Sequence, residues 1–394
     1  MKKSLLYFVF GLLIIFECLR VYLIMPMPGS QKSNTIELAY FLGYNKNIFR
    51  LIGYLLLLYP LFYLFKNGVK KEKVIVAIIF FIYISIFYVF NFQMEADKMF
   101  YQPTNITFLS KDKNKIPSHK LVIGVELDGF ARAYPIQLIG YHHQVRDTIN
   151  NKPIMVTYCT VCRTGRVYSP IVNGKVETFR LVGMDHFNAM FEDATTKSWW
   201  RQSNGLCIAG PLRGYQLEEI KSTQLTLSAW ERAHNNTLVL QPDEKFKDKF
   251  EKMDTYDKGT SKSDLTKRDS TSWKDKSWVI GIQNAGVAKC YDWNQIARLR
   301  IIQDSIPNLP LLILLENDTA SFHTYSRRIQ NETLKFVKKG DTIRDINTGS
   351  YWNYDGLCLN GKLKGTVLQK VDSFQEFLHS WEFFHPKNLR YSSK

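Results

Sequence analysis

Residues 122–129 read Val122-Ile123-Gly124-Val125-Glu126-Leu127-Asp128-Gly129, and residues 279–286 read Val279-Ile280-Gly281-Ile282-Gln283-Asn284-Ala285-Gly286. An apolar run that ends in a two-residue turn is a hairpin signal, and here it occurs twice. The likeness continues in order. At an offset of 157, Ala131, Tyr134, Asp147, Pro153, Tyr168 and Phe179 match Ala288, Tyr291, Asp304, Pro310, Tyr325 and Phe336. The offset shortens to 152, where Asp193, Thr196, Ser198 and Trp200 match Asp345, Thr348, Ser350 and Trp352. At 151, Gly205-Leu206-Cys207 matches Gly356-Leu357-Cys358, and Trp230-Glu231 with His234 matches Trp381-Glu382 with His385. So long an ordered series predicts two copies of one unit, 119–240 and 276–391.

Within each copy, the apolar run Lys152 to Tyr158 reads as a strand, and Asn173-Gly174 reads as a second hairpin turn. A short helix is expected before each of Trp230 and Trp381. The expected fold class is α+β and β-rich, with two pseudo-symmetric lobes. Between the copies, Pro242 to Lys276 is rich in Lys, Asp, Ser and Thr and reads as a solvated linker.

Upstream lie three apolar stretches, Ser4 to Met27, Ile48 to Phe65 and Val74 to Phe92. Each is near the length a helix needs to cross hydrocarbon. The expected domains are therefore a three-helix membrane anchor (1–92), a first lobe (93–240), a charged linker (241–275) and a second, degenerate lobe (276–394). Lys2 and Lys3 precede the first helix, and Lys66, Lys70, Lys71 and Lys73 fill the loop between the second and third. Basic residues mark the cytoplasmic side. Three crossings then place the lobes outside the cytoplasm, on a multi-pass protein of the cytoplasmic (inner) membrane. The expected partners are the lipid bilayer and a small molecule or protein. Glu17 and Arg20, three apart in the first helix, share one face.

The 394 residues carry a net charge of +16 and six cysteines. Of that excess, +7 falls in residues 1–92, where it is a topology signal. With no phosphate loop or paired zinc-finger spacing, nucleic acid is not an expected partner. Six cysteines in this length exclude a small disulfide scaffold.

Comparing the copies separates residues that maintain a common fold from those peculiar to one lobe. The tryptophans, glycines, Cys207 and Cys358 are shared, the last two reading as small buried thiols. Only the first copy has His142-His143, Cys159-x-x-Cys162 and His186. Two thiolates three apart reach one ion from a single turn, and imidazole with thiolate suits zinc or copper. Cys159, Cys162, His142, His143 and His186 are therefore candidate metal ligands, the adjacent histidines being read as strand residues on opposite faces. Thiol–disulfide exchange is the second reading, with Arg163 and Arg166 lowering a thiol pKa. An inert cysteine pair in a binding or scaffold module is the third. A metal-dependent or thiol-based oxidoreductase is one enzyme reading these leave open. The position after Tyr158 and before Thr164-Gly165, read as a turn, counts against the redox reading, because a redox pair usually opens a helix. Arg163, Arg201 and Gln202 are candidate binding residues.

These motifs also carry a likeness. Ala133-Tyr134-Pro135, His142-His143, Asp147, Thr157-Tyr158-Cys159-x-x-Cys162-Arg163-Thr164-Gly165, Gly183-Met184 and Ser198-Trp199-Trp200-x-Gln202 resemble the bacterial family called domain of unknown function 3179. The loop Met25-Pro26-Met27-Pro28-Gly29-Ser30-Gln31 resembles members with N-terminal membrane helices. The resemblance implies a bacterial membrane-associated protein and brings no established activity. Cys207 departs from it, since alanine is frequent there.

Overall fold

The computed structural model describes residues 2–392, without the side chains of Lys2 and Lys3. The positive-inside signal carried by those two lysines, and the outer domain bounds at 1 and 394, fall outside what it describes. The chain divides into two compact units. One holds the residues up to Tyr101 together with Lys175–Gln216, and the other holds Gln102–Gly174 with Leu217 onward.

In the first unit, three helices are long and apolar enough to cross a membrane: Ser4–Tyr22, Lys46–Asn67 and Lys70–Gln93. They fall on the three expected stretches, except that residues 23–27 leave the first helix. Near one end of the three helices lies a buried polar network. Arg50 donates from Nε and Nη2 to the two carboxylate oxygens of Glu17, at 2.7 and 2.9 Å. Arg20 and Arg50 both donate to Asn91 Oδ1, at 2.6 and 2.7 Å. Arg20 also reaches Glu95 at 3.2 Å. Charges taken out of water persist when each has a partner, and here the partners come from all three helices. The pair expected from sequence, Glu17 with Arg20 (3.5 Å), is its weaker part.

The same unit holds a four-stranded antiparallel sheet, in the order Cys207–Ala209, Trp199–Arg201, Asn188–Asp193, Phe179–Asp185. Its side chains Val182, Met190, Trp199 and Ile208 share one apolar cluster with Val21, Leu23, Ile24, Met25 and Ala39. Ile24 O accepts from Met184 N at 2.7 Å. The expected boundary at residue 92 therefore cuts through a shared core.

The second unit contains five principal sheets. The hairpin Leu121–Leu127 / Phe130–Pro135 turns at Asp128 and Gly129 (φ 52 and 84). Both residues are left-handed, as a tight hairpin of this twist requires. Leu121–Leu127 pairs antiparallel with Thr223–Thr226, and Phe130–Pro135 pairs parallel with Leu238–Leu240. The hairpin Trp278–Asn284 / Val287–Asp292 has the same neighbours: Phe374–Phe377 antiparallel and Leu389–Arg390 parallel. Registers agree as well. Ile123 faces Gln224 and Ile280 faces Gln375, while Arg132 faces Leu238 and Lys289 faces Leu389. Each hairpin then enters a seven-residue helix, Ile136–His142 or Trp293–Leu299, and a three-stranded antiparallel sheet.

Trp230 and Trp381, both buried, lie on helices Leu227–Ala233 and Leu378–Phe384. Their indoles occupy the space that side chains at Gly124 and Gly281 would fill. Residues 242–276 are not a bare solvated linker. They form the short helices Glu244–Phe246 and Lys247–Glu251 and bury Phe246, Phe250 and Tyr256.

Candidate functional site

Strand Lys152–Cys159 pairs with Thr164–Tyr168, and the last pair is Cys159 with Thr164. The turn is therefore residues 160–163, with Arg163 left-handed (φ 57), and Thr164-Gly165 belongs to the second strand. Both thiols are wholly buried. Burial, and then a hydrogen bond with Cys159, push the Cys162 thiol well above the ordinary range. The neighbouring arginines point their guanidiniums at other partners. Arg163 lies over the Trp278 ring at 3.7 Å and donates to Gln375 Oε1 at 2.8 Å. Arg166 pairs with Glu376 at 2.9 Å and Glu219 at 3.2 Å. A thiol held in its protonated form is a poor nucleophile, so for Cys162 the direction is opposite to the lowering expected from Arg163 and Arg166.

The turn is fixed from outside. Cys162 O accepts from Phe377 N at 2.9 Å. Val161 O accepts from Lys276 Nζ at 2.8 Å and lies 3.2 Å from His379 Nε2. Burial brings Lys276 down to about 8 and His379 down to about 3. Lys276 and His379 were missed in the sequence. A signal existed, since the sequence offset of 151 sets His379 against Ser228.

The histidines are not strand residues. His142 ends the helix Ile136–His142, and His143 is its left-handed cap (φ 61). A seven-residue helix is too short for apolar periodicity to announce it. The His142 ring packs edge-on against Phe246 and Phe250, at 5.1 and 5.5 Å between centroids. Burial lowers His143 to about 4, so its ring is neutral at pH 7.

His186 lies in the first unit, in a left-handed turn (φ 50). Its Nδ1 is 2.6 Å from Asp185 Oδ1, and Arg201 donates to Asp185 Oδ2 at 2.6 and 2.8 Å. Burial works to raise Asp185, yet His186 and Arg201 hold it below the usual carboxylate range. Gln202 Oε1 accepts from Asn188 Nδ2 at 3.0 Å. The structure thus brings His186, Arg201 and Gln202 together in one unit. It places Cys159, Cys162, His142, His143 and Arg163 in the other. Among the described residues, no three of His, Cys, Asp and Glu are grouped as a metal ion requires. Cys207 and Cys358 are buried free thiols, each donating to the carbonyl two residues on.

Arg163 leads from the cysteine turn to a cleft of about 490 Å³ in the second unit. Lys120 and Arg163 lie within residues 119–240, Asp257 and Arg268 within 241–275, and Trp278 and Gln375 within 276–391. The Arg268 guanidinium also lies over the Trp278 ring, 4.3 Å from its centroid. Lys120 is neutralised by Asp254 at 2.7 Å. Burial raises the Asp257 carboxyl. A concave, part-apolar space with convergent polar groups is the usual form of a small-molecule site. Of the lining residues named above, sequence reasoning singled out only Arg163. Trp278 was available as a signal, since the sequence offset of 157 sets it against Leu121.

Fold and site define a β-rich α+β protein with three candidate membrane helices and a charged cleft. The chain belongs to the family described as "Protein of unknown function (DUF3179)", whose model matches residues 101–388. No curated protein and no solved structure matches the chain.

Proposed function

We propose that the protein is a membrane-anchored, extracytoplasmic binding module, built on two copies of one β-rich unit. In this reading Cys159 and Cys162 are structural and shape the turn that carries Arg163 into the cleft. The observation that carries it is the cleft itself, lined from both copies and from the segment between them. The matching strand registers support the duplication. The lysines of the loop between the second and third helices support the orientation.

The test is a thermal-shift screen of the full chain in detergent micelles, against cations, anions, sugars and amino acids. At least one class should raise the unfolding midpoint, and Arg163→Ala should abolish the rise. A screen in which nothing shifts the midpoint refutes the reading. Elemental analysis of the same preparation, made without chelator, tests zinc or copper. One ion per chain, lost in Cys159→Ser, would replace the structural role of the cysteines with a metal site.

A further inference from the structure

Two guanidiniums flank Trp278, at 3.7 Å (Arg163) and 4.3 Å (Arg268), and both line the cleft. Among the described residues, neither forms an ion pair with a carboxylate. Arg163 is satisfied by Gln375 Oε1 and the carbonyls of Tyr256 and Asp257. Arg268 bonds Asn294 Oδ1 at 2.5 Å. Two like charges over one ring, with no carboxylate in ion-pair contact, repel one another, and the Asp257 and Asp292 carboxylates attract them only from beyond contact distance. Burial and the neighbouring Arg163 both lower the Arg268 pKa. Three buried polar atoms of residues that line the cleft have no hydrogen-bond partner among the described residues: Arg268 Nε, Trp278 Nε1 and Asp257 Oδ1. Two of these are donors and one is an acceptor. Buried polar groups are ordinarily paired, so each orphan needs an explanation.

We propose that the cleft binds a small organic anion bearing a carboxylate and, beside it, a hydroxyl. The carboxylate would supply the missing negative charge and accept from the Arg268 and Trp278 side. Guanidinium is the side chain whose donor geometry suits a carboxylate. The hydroxyl would donate to Asp257. Lys258, exposed at the rim, adds long-range attraction. This rests on reading the cleft as a binding site and adds the class of ligand.

Isothermal titration of the full chain in detergent micelles, with malate, succinate, inorganic phosphate and erythritol, tests it. Malate should bind, with succinate and phosphate several-fold weaker and erythritol silent. Arg268→Gln should weaken malate at least tenfold. Asp257→Asn should bring malate and succinate to equal affinity, a change that a merely structural aspartate would not produce. Lys258→Gln should weaken malate two- to threefold with no change in unfolding midpoint, which guards against a folding artefact at the buried positions. Erythritol binding without malate would overturn the anion class and leave the binding reading standing. Phosphate binding as tightly as malate would overturn the hydroxy-carboxylate assignment. If no member of the panel binds here and none shifts the midpoint in the wider screen, both readings fall.

Discussion

A methyl group added at Gly124 has nowhere to go. A Cβ there would lie 2.2, 2.3 and 2.6 Å from Cε3, Cζ3 and Cδ2 of Trp230. Nor can the indole retreat easily. Its Nε1 donates to Thr237 Oγ1 at 2.8 Å, and the His234 ring lies 3.8 Å from it between centroids. Overpacking a rigid core costs about 1–3 kcal/mol, and a ring pinned on two sides puts Gly124→Ala near the top of that range, about 3 kcal/mol. In a unit of this size each kcal/mol moves the midpoint about 2–4 °C, so a fall of about 6–12 °C is expected. Gly281→Ala makes the same clash with Trp381, at 2.1 Å. There the indole Nε1 has no partner among the described residues, so the ring can yield more. Gly281→Ala should therefore cost less than Gly124→Ala, despite the slightly shorter distance. The assay is thermal unfolding of the full chain in micelles, with Trp230→Leu added to complete a double-mutant cycle. Trp230→Leu alone should destabilise, and in its background Gly124→Ala should cost little. A midpoint within 1 °C of the parent for Gly124→Ala, or additive effects in the cycle, would refute the reasoning.

Three further outcomes are expected. Arg50→Met should cost about 3 kcal/mol, because it leaves the Glu17 carboxylate with Arg20 at 3.5 Å as its one charged partner, beside the Asn91 amide at 3.2 Å, whereas Glu17→Met with Arg50→Met should recover most of the loss; denaturant titration in micelles decides, and equal costs would count against the network. His143 is depressed to about 4 when folded, so an unfolded chain binds its proton first as pH falls. Stability from it is therefore complete above about 6.5 and declines toward 4, by about 1.4 kcal/mol per pH unit, and His143→Gln should flatten that decline in unfolding midpoints measured from pH 7 to 4. Asp193 accepts from Ser198 N at 3.0 Å, Trp200 Nε1 at 2.9 Å and the Thr196 hydroxyl at 2.8 Å. Asp193→Ala orphans these donors at about 1–3 kcal/mol for each one buried, so amide-exchange protection along Trp199–Arg201 should fall, and unchanged protection would contradict the geometry.

Much of the architecture was legible because tight turns and spanning helices have local signatures. Asp128-Gly129 announces its hairpin by the backbone freedom the turn demands, and the three apolar stretches announce helices by length. Gly165 misled, for it resembles a turn glycine. It is glycine because a Cβ there would come within 2.6 Å of Ile123 Cδ1, a packing constraint between distant strands. The expected linker hid a signal: Phe246 and Phe250, four apart, can share a helix face. Most of the cleft was out of reach, because its walls come from stretches more than 200 residues apart that only tertiary pairing assembles. The grouping of His186 with Arg201 in one unit, apart from the cysteines, likewise follows from contacts that composition does not encode.

The apolar cluster joining Val21 to Met25 with the strands of residues 179–209 ties that sheet to the end of a helix long and apolar enough to cross a membrane. A helix whose apolar length does not match the bilayer tilts or shifts to compensate, and here any such shift pulls on the sheet through Ile24. Where these helices are set in a bilayer, its thickness becomes a thermodynamic variable of the sheet, and lipids of different chain length should tune its cohesion much as a ligand would.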